Sequence, residues 1–151
     1  MSKNSMTISM EIEGLDEAIK KLKLYDNKSS LAIARSIRKG GVNIQNNAKG
    51  KVRVDTGKLR DNIKAKMSTT KLQSAVRVDH RKAPHAHLIE YGVAESYVKP
   101  GRKKALKING RFAKGAIKIP KRRARPFLRP AFDIEKPKVE ADIKKVLRTM
   151  S

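Results

Sequence analysis

His85-Ala86-His87-Leu88-Ile89-Glu90-Tyr91, with Asp79 and His80 just upstream, is the one compact group of side chains in this sequence able to hold a metal ion or move a proton. Imidazole nitrogens beside a carboxylate suit zinc or iron. The spacing argues against a site. His85 and His87 share a face only in a strand, point nearly opposite ways in a helix, and match no strong metal-binding signature in either case. A nuclease needs clustered carboxylates for divalent metal, whereas Asp55, Asp61, Asp79 and Glu90 are scattered. The residue types of a Ser/His/Asp hydrolase are present without a nucleophile-elbow sequence. The chain has no Cys, which removes disulfides, thiolate metal sites and cysteine nucleophiles. The expectation is therefore a non-enzymatic protein with no catalytic residue, no metal and no cofactor. Glu90 is expected to pair with an arginine, Arg125 or Arg129.

Charge points to binding instead. Among 151 residues there are 37 Lys+Arg and 14 Asp+Glu, a formal net charge of +23. So much like charge on one small chain calls for an anionic partner: nucleic acid first, acidic surfaces of neighbouring subunits second, an anionic membrane surface third. The segment from Ser96 to Phe132 holds 13 of the bases and no carboxylate. Lys99, Arg102, Lys103, Lys104, Lys107, Arg111, Lys114, Lys118, Lys121, Arg122 and Arg123 are its candidates for contact with DNA or with another subunit. Contacts of this kind neutralise phosphates without reading sequence. Only Tyr97 and Phe112 are available there for stacking on bases. No window approaches the ~18 apolar residues of a membrane span, and Met1 to Met10 lacks the basic-then-apolar order of a signal peptide. The chain thus reads as a cytoplasmic protein, or one assembled there.

The elements that must position these residues follow from periodicity. Ile8, Met10 and Ile12 alternate with Ser9, Glu11 and Glu13, which predicts a half-buried strand. Leu15, Ala18, Ile19 and Leu22 predict a short helix. Ile33, Ile37, Ile44 and Ala48 predict a second one over Ser29 to Lys49, interrupted by Gly40-Gly41 as a kink or a close backbone approach. Val54-Asp55-Thr56-Gly57 predicts a turn, Lys58 to Asn62 a brief helical turn, and Ile63–Met67 with Leu72–Asp79 a hairpin. Ala86 to Tyr91 is a short segment that Gly92 could cap as a helical turn. Asn109-Gly110 favours a hairpin turn between strands at Ala105–Ile108 and Arg111–Ala113, with Ala116–Ile119 a continuation, giving a projecting basic arm over about 96–123 or a disordered one. Beyond Pro126, Val139, Ile143, Val146 and Met150 mark a final helix that starts near Pro130 and that Pro137 either kinks or divides. The fold class is α+β: one domain over 1–151, with a small, mainly antiparallel sheet packed by two or three helices.

Three motifs in order carry a family resemblance. Val52-Arg53-Val54-Asp55-Thr56-Gly57-Lys58-Leu59-Arg60-Asp61-Asn62-Ile63, His87-Leu88-Ile89-Glu90-Tyr91-Gly92 and Ala124-Arg125-Pro126-Phe127-Leu128-Arg129-Pro130-Ala131-Phe132 resemble segments of the gene-product-ten family of HK-type bacteriophages, tail-component or tail-completion proteins. Glu13-Gly14-Leu15-Asp16 fits that family's usual opening, and the resemblance covers most of residues 12–149. Arg53 and Asn62 depart from its common Pro and Ser, and the basic stretch is longer than in many members. The resemblance implies a structural protein of the virion, made in the host cytoplasm and placed at the head-proximal end of the tail. There it would complete the tail and join it to the head, as a ring of copies around the DNA channel. Its partners would be further copies, neighbouring neck and tail proteins such as the head–tail stopper, tail terminator or tail tube, and the backbone of packaged double-stranded DNA, but no membrane. The motif residues carry structural roles in this picture. Asp55, Thr56 and Gly57 set a turn, followed by Leu59 and Arg60; Phe127, Leu128 and Phe132 anchor the last helix, with Pro126 and Pro130 at its entry. Glu90, Tyr91, Gly92, Arg125 and Arg129 complete the set, the charged ones as buried or interfacial contacts.

Overall fold

A computed structural model describes residues 6–9, 27–68, 72–100, 106–108, 110–113 and 115–149. Strand β1 (Met6–Ser9) is followed by the long helix α1 (Asn27–Lys51), the single-turn helix α2 (Lys58–Asp61), strands β2 (Ile63–Met67) and β3 (Ser74–Val78), and helix α3 (Ala86–Tyr91). Strands β4 (Ser96–Val98), β5 (Leu106–Ile108), β6 (Arg111–Ala113) and β7 (Ile117–Ile119) precede the final helix α4 (Leu128–Arg148). The chain divides into two compact units: residues 1–86 with 126–151, and residues 87–125. The fold is α+β, and every described strand pair is antiparallel. The helix expected over Leu15 to Leu22 lies outside the described residues.

In the first unit, β3 is the centre of a three-stranded sheet of order β1-β3-β2. Alternation places Ser74, Val76 and Val78 of β3 and Ile63 of β2 on the buried face, while Lys64, Lys66 and Arg77 are exposed. Helix α1 covers the buried face and packs along α4. Its inward positions, Ile33, Ile37, Ile44 and Ala48, are those the periodicity marks, each at most 2 % exposed. From α4, Leu128, Ala131, Val139 and Ile143 close the core. Pro137 occupies an exposed position inside one continuous helix. A carbonyl deprived of its N–H partner there is open to water, which limits the cost.

Gly40-Gly41 does not interrupt α1; the helix runs unbroken through both residues. Gly41 serves the other purpose considered for the pair, a close approach. A Cβ on Gly41 would overlap Ser74 Oγ, lie 3.0 Å from Ser74 Cβ and touch Ala65 Cβ at 3.8 Å. The sheet therefore sits against the backbone of the helix. One turn on, Gln45 Oε1 accepts the Ala65 N–H at 2.7 Å, satisfying a donor on edge strand β2. We expect Gly41→Ala to destabilise the fold by about 1–2 kcal/mol in a urea titration, because overpacking outweighs the ~1 kcal/mol of helix propensity gained. Ser74→Gly in the same chain should recover part of the loss.

The second unit holds two two-stranded sheets. β5 pairs with β6 around Gly110, whose φ of 82° fits the Asn-Gly turn. β7 does not prolong that pair but returns to β4, with Tyr97 opposite Lys118. This partnership spans the β5–β6 segment. Local alternation carries no information about such a choice of partner.

Candidate functional site

The turn of the first motif is built on Gly57, which adopts φ 77° immediately before α2. An L side chain is strained there, whereas glycine is not. The Asp61 N–H donates to Gly57 O at 2.9 Å, and Leu59, 5 % exposed, ties the turn to the core. Val54, Asp55, Thr56, Lys58 and Arg60 all remain exposed, and Arg60 pairs with Asp61 at 3.2 Å on the surface. An exposed pair of this kind contributes little to stability. Half of this motif builds the fold and half faces outward.

The second motif and the start of the third meet inside the unit of residues 87–125. Helix α3 ends at Gly92, φ 76°, the left-handed position that closes a helix. The Arg125 N–H then donates to Ile89 O at 2.8 Å, and Val93 and Arg122 exchange two backbone hydrogen bonds of 2.9 Å each. Gly92 lies between these contacts. A Cβ on it would come within 2.7 Å of Ala124 N and 2.8 Å of Arg122 O, both main-chain atoms. Sequence segments some thirty residues apart are thus locked backbone to backbone, and the lock requires glycine.

Glu90, 4 % exposed, is buried in α3, while Tyr91 is 68 % exposed. His85 lies in the turn just before α3 and His87 within the helix, and both are exposed. Among the described residues no group of three or more His, Asp or Glu is placed to hold a metal ion. Phe127 and Leu128 are fully buried at the start of α4, with Pro130 and Phe132 half-buried and Arg125, Pro126 and Arg129 exposed.

Of the basic candidates, Lys99, Lys118, Lys121, Arg122 and Arg123 are exposed, Lys118 pairing with Glu95 at 3.1 Å. Lys107 and Arg111 lie in β5 and β6. Arg102, Lys103, Lys104 and Lys114 lie outside the described residues. The sheet of the first unit adds a basic surface that the sequence reading passed over. Lys64 stands directly opposite Arg77, with Lys66 on the same exposed face. Like charges placed opposite one another oppose sheet formation. Alternation along Ile63-Lys64-Ala65-Lys66-Met67 would have revealed them.

A buried polar cluster was also missed. Glu135, 3 % exposed, lies in register with Val139 and Ile143 on the core face of α4. Its carboxylate accepts from Asn43 Nδ2 at 3.2 Å, Asn47 Nδ2 at 2.8 Å and Lys138 Nζ at 2.9 Å. Burial pushes its pKa up, but the hydrogen bonds from Lys138, Asn43 and Asn47 and the Lys138 charge together prevail, so the carboxyl titrates below its ordinary value. The cluster clamps α1 to α4.

What the motifs build is a turn, a backbone lock and a set of exposed charged surfaces. A family model, HK97-gp10-like, described as "Bacteriophage HK97-gp10, putative tail-component", matches residues 16–92. The match spans the first two motifs and ends at the glycine of the lock. No curated protein and no solved structure matches the chain. Among the described residues, no helix is long and apolar enough to cross a membrane.

Proposed function

The chain belongs to the HK97-gp10-like family of bacteriophage tail components, and from that premise we propose that it is a non-enzymatic subunit at the head-proximal end of the tail, completing the tail and joining it to the head. The observation that carries this reading is the division of labour within the motifs. Gly57, Leu59, Gly92 and Phe127 are spent on the fold, while Val54, Asp55, Thr56, Arg60, Tyr91 and Arg125 are left on the surface without any converging chemistry. Residues of that kind serve contacts between subunits. Copies arranged head to tail close into a ring when the rotation between them closes, and such a ring would surround the DNA channel. Its neighbours would be the proteins that stop the head, terminate the tail or form the tail tube. Gold-labelled antibody against the chain should decorate the junction of head and tail on intact virions; label at the distal tip would overturn the placement.

DNA contact in this reading is made by exposed bases rather than by a reading head. Lys99, Lys121, Arg122 and Arg123 are exposed in the second unit, and Lys64, Lys66 and Arg77 in the first. Such contacts bind the phosphate backbone by releasing counterions. If four phosphates are neutralised, affinity for duplex DNA of any sequence should fall about a hundredfold between about 50 and 200 mM salt. Fluorescence anisotropy would measure this directly. Binding that is flat with salt would remove DNA from the list of partners.

A further inference from the structure

Leu31, Arg35, Arg38 and Val42 of α1 fall within about 60° of one another at 3.6 residues per turn. All four are exposed, Leu31 by 58 % and Val42 by 43 %. The neighbours of α1 within its own unit are engaged elsewhere around the helix. Gly41 and Gln45 turn to the sheet, and Asn43 and Asn47 turn to Glu135 of α4. Among the described residues, the Leu31–Val42 stripe borders Gln45 and lies on the side of α1 away from the core positions Ile33, Ile37, Ile44 and Ala48.

Its chemistry narrows the partner. Asn27–Lys51 contains six bases and no carboxylate, so none of these arginines has an acid on its own helix. A phosphate backbone would use Arg35 and Arg38 but gain nothing from covering Leu31 and Val42. An apolar surface would cover the leucine and valine while stripping water from two guanidinium groups without pairing them, which is costly. A surface with carboxylates flanking apolar side chains satisfies both kinds of residue at once. The same face of a second copy is poorly suited, because it would bring Arg35 and Arg38 against their own counterparts on a helix without a carboxylate.

We propose that the outward face of α1 docks an acidic amphipathic helix belonging to a different protein, Leu31 and Val42 filling its apolar seam and Arg35 and Arg38 pairing with its carboxylates. This goes beyond the tail-component reading, which assigns no role to this face of α1, and does not depend on it.

Two synthetic helical peptides of about 18 residues test it against the full chain. Both carry the same Glu content, one with Leu at i, i+4, i+7 and i+11 and the other with Gln at those positions. By anisotropy, the Leu peptide should bind at least about tenfold more tightly than the Gln peptide. Leu31→Ser with Val42→Ser should abolish that difference, and Arg35→Glu with Arg38→Glu should abolish binding of both peptides. Both double variants should keep Tm within about 2 °C of the parent, as surface changes do. Equal binding of the two peptides would overturn the proposal. So would a larger fall in Tm, which would mean that this face is covered within the fold, or self-association lost in the variants, which would make it a contact between copies. Duplex DNA binding that needs the arginines but not Leu31 and Val42, without discrimination between the peptides, would reassign the face to nucleic acid.

Discussion

Gly92→Ala should destabilise the unit of residues 87–125 by about 3 kcal/mol. Two costs combine. An L residue held at φ 76° is strained by roughly 1–2 kcal/mol, and its Cβ would meet main-chain atoms of Arg122 and Ala124 at 2.8 and 2.7 Å. No rotamer change relieves a collision with backbone, so the segment 122–125 must move. Its hydrogen bonds to Val93 and Ile89 then weaken, at about 0.5–1.5 kcal/mol each. Amide hydrogen exchange reads the effect where it arises: the N–H groups of Val93, Arg122 and Arg125 should lose protection together. Gly110→Ala is the matched control. Its φ of 82° imposes similar strain, but nothing lies within 4 Å of the added Cβ, so the cost should stay near 1 kcal/mol. Equal costs at the two positions would mean that strain alone matters and that the backbone lock does not.

Glu135→Ala should cost about 2–4 kcal/mol in the unit of residues 1–86 with 126–151. The change removes three hydrogen bonds and leaves the Asn43 and Asn47 amides in a part-buried site with their acceptor gone. Lys138 is 63 % exposed and recovers water, so its charge adds little to the loss. The same carboxylate makes stability depend on pH in a definite sense. Its folded pKa lies below the ordinary value of 4.5, so the folded state binds this proton less readily than the unfolded chain does. The stabilisation is complete above that ordinary value and is lost as pH falls through the folded pKa. Urea titrations on the acid side of neutrality should show a shallower loss of stability below pH 4.5 for Glu135→Gln than for the parent. Parallel curves would show that the carboxylate charge contributes nothing.

These two positions also mark how far the sequence could be read. Gly92 is legible as the stop of a helical segment, because a glycine after a short run such as Ala86 to Tyr91 is a local signal. That its second task is to admit the backbone of residues 122–124 is not, since the contact joins distant parts of the chain. The α1 core positions followed directly from spacing. Gly40-Gly41 reads as either a kink or a close approach because propensity penalises glycine in helices, and the packing of Gly41 against Ser74, which decides for the approach, is a contact between distant segments. Glu135 escaped notice for the opposite reason. A carboxylate in a basic, charged helix reads as surface, although its spacing from Val139 and Ile143 places it on the buried face. Strand β7 shows the same limit, its alternation being compatible with either neighbour. The family is legible in the motifs themselves, whereas the division of their residues between core and surface depends on contacts between distant segments.

A structural role in joining tail to head is tested most directly by electron microscopy of particles from a phage in which this chain is not made. Filled heads and separate, unjoined tails are expected, with joining restored when purified chain is added to the extract. Joined, infectious particles formed in its absence would contradict that role.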